Sequence, residues 1–198
     1  MPIRSADLHG NVPDRATTAL ILIDVINDFE FEGGEKLLPL AMPVGQRIAE
    51  LKRKARVAGI PAIYANDNFG KWQSDLKKIV SHCTADSVRG KPFVEMVLPE
   101  PDDYFVLKPK HSGFFSTTLE LLLEHLGAEK LILTGIAGNN CVLFTANDAY
   151  MRDFKLCVPS DCVVSETPEE NEYALRQMAK VLKADIRESR HLKLEQMK

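Results

Sequence analysis

The run Ala19-Leu-Ile-Leu-Ile, closed by Asp24, most narrows the folds open to this chain. Its apolar residues do not alternate with polar ones, so a strand built from them has no face to give to water. Such strands lie inside parallel sheets that are covered on both sides. Further strand-like runs follow at Pro61–Ala65, Tyr104–Leu107, Leu131–Leu133 and Phe154–Val158, and Ala184–Arg187 is expected to be a short sixth strand. Between them the apolar spacing becomes helical. One helix is expected from about Pro43 to Ala58 with Ile48, Leu51, Ala55 and Ala58 inward, and a short one from about Ser74 to His82. Another starts near Thr118 and buries Leu119, Leu122, Leu123 and Leu126; the next buries Val142, Leu143, Ala146, Ala149 and Tyr150. The last opens at Thr167 and runs to about Leu182. Strands alternating with helices require right-handed crossovers, which gives a single three-layer α/β domain over residues 1–198.

Local signals mark the helix ends. Gly59 and Gly127 stand where helices should stop, and Thr117/Glu120 and Thr167/Glu170 have capping-box spacing. The tail after Ser189 is polar and is expected to be mobile. A net charge of -3 without a basic run excludes nucleic acid as an expected partner. Met1–Gly10 lacks the apolar core of a signal peptide, and nowhere is there an apolar run long enough for a membrane span. The four cysteines form no Cys-x-x-Cys pair, which suits free thiols in a reducing, cytoplasmic setting.

Three chemically complementary residues stand at strand ends. Asp24 follows the first strand, Lys108 the third, and Cys141 the turn after the fourth. In open parallel sheets ligands bind beyond the carboxyl ends of the strands, so the topology gathers these residues at one edge. Each alone is ordinary: an Asp at a turn, a surface Lys, a small buried Cys. Together they supply a base, a cation and a nucleophile. The turn Gly135–Asn140 leads into a helix, and a thiol at a helix N-terminus is expected to favour the thiolate.

The chain resembles the isochorismatase-like cysteine hydrolases, which include nicotinamidases, N-carbamoylsarcosine amidase and ureidoacrylate amidase. Three blocks carry the resemblance: Ala19-Leu-Ile-Leu-Ile-Asp-Val-Ile-Asn-Asp-Phe29, Val106-Leu-Lys-Pro-Lys-His-Ser-Gly-Phe-Phe-Ser-Thr-Thr-Leu119 and Leu133-Thr-Gly-Ile-Ala-Gly-Asn-Asn-Cys-Val142. The resemblance implies a Rossmann-like, six-stranded parallel sheet of order 3-2-1-4-5-6, assembled as a homodimer or homotetramer. It implies Asp24 as general base and acid, Cys141 as a nucleophile forming a thioester, and Lys108 as the cation holding the pair. It also implies an oxyanion hole from the backbone N–H groups of Ala137 and Cys141, beside a cis peptide at Ile136–Ala137. Nicotinamidases carry a metal-binding Asp-x-His after the second strand, where this chain has Asp67-Asn-Phe69. A lone carboxylate holds a divalent ion poorly, so neither metal nor cofactor is expected.

The activity so implied is hydrolysis of a C–N bond in a small amide or carbamoyl compound. The alternatives are vinyl-ether hydrolysis of an isochorismate-like acid, which can dispense with the thiol, and a non-catalytic binding module on the same fold. Phe29, Asn68, Phe69, Trp72 and His111 are further candidates for contacts with the small-molecule substrate. Cys83, Cys157 and Cys162 read as structural.

Overall fold

The computed structural model describes residues 15–197. The N-terminal stretch read for a signal peptide therefore lies outside the described residues. In chain order the elements are β1 (Thr18–Ile23), α1 (Gly34–Val57), β2 (Ala62–Asp67), α2 (Leu76–Cys83), α3 (Lys91–Val94) and β3 (Tyr104–Lys108). There follow α4 (Leu119–Leu126), β4 (Lys130–Ile136), a π-helical turn (Gly138–Val142), α5 (Leu143–Tyr150), β5 (Lys155–Cys157), β6 (Val163–Val164) and α6 (Pro168–Lys180). The sheet is parallel, in the order β3-β2-β1-β4-β5, and β6 pairs with β4 beyond the end of β5. A lone parallel bridge, Cys157↔Asp185, occupies the outermost place expected for Ala184–Arg187.

The two-residue period of β1 builds both cores. Leu20 and Leu22 face α1, α2 and α3, packing with Leu37, Ile48, Leu51, Ile79 and Phe93. Ala19, Ile21 and Ile23 face the other way, toward Val142 of the π-helical turn and Leu119, Leu123, Ala146 and Met178 of α4, α5 and α6. All of β1 is buried, as a two-sided apolar run requires. Among the described residues no helix is long and apolar enough to cross a membrane.

Several local expectations need correction. α1 begins at Gly34, not near Pro43, and carries Pro39 and Pro43 inside it. Both prolines lie on its exposed side, so the carbonyls that lose their i+4 donor face water instead of the core. Thr117 does not form a capping box with Glu120. Its hydroxyl accepts from the Leu119 N–H (3.2 Å) and donates to Gly113 O, while Glu120 pairs with Arg152 at 3.0 Å. Leu122 and Leu143 are only partly buried and Tyr150 is exposed. The tail after Ser189 is docked. The Ser189 N–H and hydroxyl both reach the Asp161 carboxylate at 2.7 Å, Leu194 joins the α1-side core, and Thr18 Oγ1 donates to Met197 O.

Candidate active site

Parallel register brings three strand ends level. Ile23 pairs with Ala65 on one side and Gly135 on the other, and Asp67 pairs with Lys108. Asp24, the next residue after β1, turns at φ 50°, and its N–H still bonds Ala65 O at 3.1 Å. Its Oδ1 accepts the Asp67 N–H at 2.7 Å, and its Oδ2 lies 2.8 Å from Lys108 Nζ. Lys108 has no exposed surface, and its ammonium also lies 3.6 Å from Cys141 Sγ and 3.9 Å from the Asp67 carboxylate. One buried cation thus joins the carboxylate to the thiol.

Cys141 sits within the π-helical turn that joins β4 to α5. The strand reaches this turn through Gly135, whose φ is 124° and where a Cβ would lie 2.0 Å from Ile23 O; only glycine fits. The Ile136–Ala137 peptide is cis. Ala137 O accepts the N–H groups of both Asn140 and Val142 at 3.1 Å. The Asn139 N–H donates to Ser165 Oγ (3.0 Å), which bonds Asn171 Oδ1 (3.1 Å) and so ties the turn to α6. On the other side Thr145 Oγ1 donates to Cys141 O (2.7 Å) and accepts the Gly113 N–H (2.9 Å), linking the turn to the loop after β3.

The electrostatics overturn the expected thiolate. Burial first, and then the Asp24 carboxylate, push the Cys141 thiol up to about 12, against the opposing pull of Lys108. The short turn's N-terminal field does not outweigh these two effects. Burial also holds the Asp24 carboxyl above its ordinary value, although Lys108, the Cys141 thiol and the Asp67 N–H all favour its charged form. For Lys108 burial acts to remove the charge, but Asp24, Cys141 and Asp67 overcome it and hold the ammonium above its usual value. At rest the thiol keeps its proton and points it at a carboxylate of raised basicity.

A cavity of about 320 Å³ opens onto Asp24 and Cys141 and is lined also by Phe31, Leu37, Asp67, Phe69, Ala137, Asn140 and Glu166. Asp24, Lys108, Ala137 and Cys141 are thus brought together, and Phe69 stands at the same cavity. Phe29 does not reach it: fully buried, it packs edge-on against Phe93 in the core, and Phe31 two residues on takes the wall position. Asn68 and Trp72 line a neighbouring cavity that shares the Phe69 wall, with Trp72 81% exposed. His111 is exposed and stacks on Phe144 instead of entering either cavity. Cys83, Cys157 and Cys162 are buried, with thiols raised by burial.

The sequence reading missed Phe31 and Glu166 as cavity residues. Glu166 had a signal, since it follows Val163-Val-Ser165 at the carboxyl end of a strand. It also passed over Asn66, buried between strands, whose amide exchanges bonds with the Ile26 N–H (3.0 Å) and C=O (2.9 Å) and fixes the loop after β1. Asp67 bonds the Phe69 N–H at 2.6 Å, and that bond holds Phe69 at φ 53° against the cavity. Among the described residues no group of three or more His, Cys, Asp or Glu side chains could hold a metal ion.

Comparison with known proteins gives a consistent result. The Isochorismatase domain family matches residues 18–187. The uncharacterized isochorismatase family protein YaaI of Bacillus subtilis is 46% identical, over 87% of this chain and 94% of its own length. The ureidoacrylate amidohydrolase RutB of Methylobacterium radiotolerans is 32% identical, over 79% and 70% respectively. Among solved structures, the nicotinamidase PncA of Bacillus subtilis is 28% identical and superposes with a TM-score of 0.67, covering 87% of this chain and 99% of that one.

Proposed function

The chain belongs to the isochorismatase family, and from that premise we propose that it is a cysteine hydrolase that cleaves a C–N bond of a small amide or carbamoyl compound without a metal. The observation that carries this reading is the shared contact of Lys108, 2.8 Å from Asp24 and 3.6 Å from Cys141, at the wall of a small-molecule cavity. Relatives named as a ureidoacrylate amidohydrolase and a nicotinamidase are amide hydrolases, which fits the same chemistry.

Asp24 takes the thiol proton as Sγ attacks the carbonyl carbon, so the thiolate arises only in contact with substrate. The N–H groups of Ala137 and Cys141 receive the developing oxyanion, a contribution of about 3–4 kcal/mol per donor. Asp24 then protonates the departing nitrogen, and the amine or ammonia leaves a thioester on Cys141. Water attacks the thioester, Asp24 accepts the water's proton, and that proton returns to Sγ as the carboxylic or carbamic acid departs. Lys108 keeps its charge through both halves and holds Asp24 in place. Phe69 offers no metal donor, and Asp67 is committed to the Phe69 N–H and faces the Lys108 ammonium. At the Asp67–Phe69 position a divalent ion would meet an already bonded carboxylate and a neighbouring cation.

Ammonia release from a panel of small primary amides and ureas tests this reading. Wild-type protein dialysed against EDTA should keep its rate within about twofold, while Cys141→Ala and Asp24→Asn should each lose about 10²–10⁴-fold. A chelator-sensitive rate, or one untouched in Cys141→Ala, would refute it. Assembly as a homodimer or homotetramer is part of the same proposal and is read by light scattering.

A further inference from the structure

We infer that the cavity selects amides that are neutral or positively charged and rejects those with a carboxylate close to the scissile bond; this rests on the amide-hydrolase reading above. Three carboxylates face the cavity, Asp24, Asp67 and Glu166, and no Lys, Arg or His is among the residues that line it. Lys108 lies behind the wall with no exposed surface, and its charge is committed to Asp24 at 2.8 Å. Asp67 keeps only a longer, 3.9 Å contact with the same ammonium, and Glu166 is exposed and enters no ion pair among the described residues.

The resulting field is negative where a substrate's flanking groups must lie. A cleft with low-dielectric walls focuses such a field, so a like charge is excluded and a positive one concentrated. Phe31, Leu37, Phe69 and Ile136 supply apolar wall, and the other polar residues of the lining, Asn27, Asn66 and Asn140, carry no charge, so a substrate carboxylate meets no opposite charge there. Lys71 and Lys78 line the separate cavity beyond Phe69, and Lys78 is held by Asp75 (3.5 Å) and Gln73 O (3.1 Å). Phe69 is the wall that the two cavities share.

Cys141 itself reports this field. Folded protein is alkylated in parallel with iodoacetamide, which is neutral, and iodoacetate, a carboxylate of similar size. Modification of the Cys141 peptide is followed by mass spectrometry, and the rate ratio is compared with that of the urea-unfolded chain. The ratio of iodoacetamide to iodoacetate should be about tenfold higher in the folded protein, should fall severalfold in Glu166→Gln, and should shrink as salt is raised. A ratio equal to that of the unfolded chain, or faster reaction with iodoacetate, overturns the inference. Turnover of matched amides bearing an ammonium, a methyl or a carboxylate group separates the two readings. Hydrolysis favouring the carboxylate sinks only the charge selectivity, whereas hydrolysis of none of them sinks the amide-hydrolase reading.

Discussion

Burial and, after it, the Asp24 carboxylate disfavour the charge on Cys141, so the proposed base is also part of what keeps the thiol protonated. Asp24→Asn should therefore act in two opposite directions. With the negative neighbour gone and Lys108 still beside the sulfur, the thiol pKa falls and iodoacetamide should modify Cys141 several times faster at pH 8. Turnover should nonetheless fall by about 10²–10⁴-fold, because under the proposed mechanism no group remains to protonate the leaving nitrogen. Slower alkylation in Asp24→Asn would show that the carboxylate does not set the thiol's state. The acid limb of kcat/KM should sit above the ordinary carboxylate value, since burial raises Asp24 and the base works only when ionised. Stability has the opposite sign. A carboxyl whose folded pKa is raised contributes stability below its unfolded pKa, and that contribution is lost as pH rises through the folded value.

At the scale of elements, α6 and the π turn test how Cys141 is held. Thr167 Oγ1 caps α6 by accepting the Glu170 N–H at 3.3 Å, so Thr167→Ala should cost about 1 kcal/mol in urea unfolding without changing kcat. Ser165→Ala should do both. It leaves the Asn139 N–H and the Asn171 amide without their shared partner, costs about 1–3 kcal/mol, and lowers kcat because the turn carrying Cys141 loosens. An unchanged kcat in Ser165→Ala would detach that network from the chemistry. The elements themselves were unevenly legible. β1 and β4 could be read because two-sided burial writes an unbroken apolar run. The start of α1 could not, since Pro39 and Pro43 signal a boundary unless both rings lie on the solvent side, which only the packed helix reveals. β6 has two residues and pairs only with the end of β4, too short for any period to show.

Across the whole molecule, the sheet edge assembles the site and the chain's end seals the opposite core. The gathering of Asp24, Lys108 and Cys141 at one edge was legible because topology sends the carboxyl ends of parallel strands there. Phe29 and Phe31 could not be told apart, because which ring turns inward depends on the backbone of one loop. The thiol's protonation also escaped, since it depends on burial and on a contact between residues far apart in sequence. The docked tail was misread as mobile because it is polar, apart from an anchor at Leu194. Leu194→Ala should cost about 2–5 kcal/mol, read by chemical denaturation, if the tail closes the α1-side core. A loss below about 0.5 kcal/mol would mean that it does not.

The covalent step is tested most directly by intact-protein mass spectrometry on acid-quenched turnover mixtures of propionamide, benzamide and β-alaninamide. Wild-type protein should carry an adduct of the substrate's acyl mass, located at Cys141, that appears within the first turnover and is absent in Cys141→Ser. Hydrolysis that proceeds with no adduct, and at the wild-type rate in Cys141→Ser, would contradict the thioester mechanism.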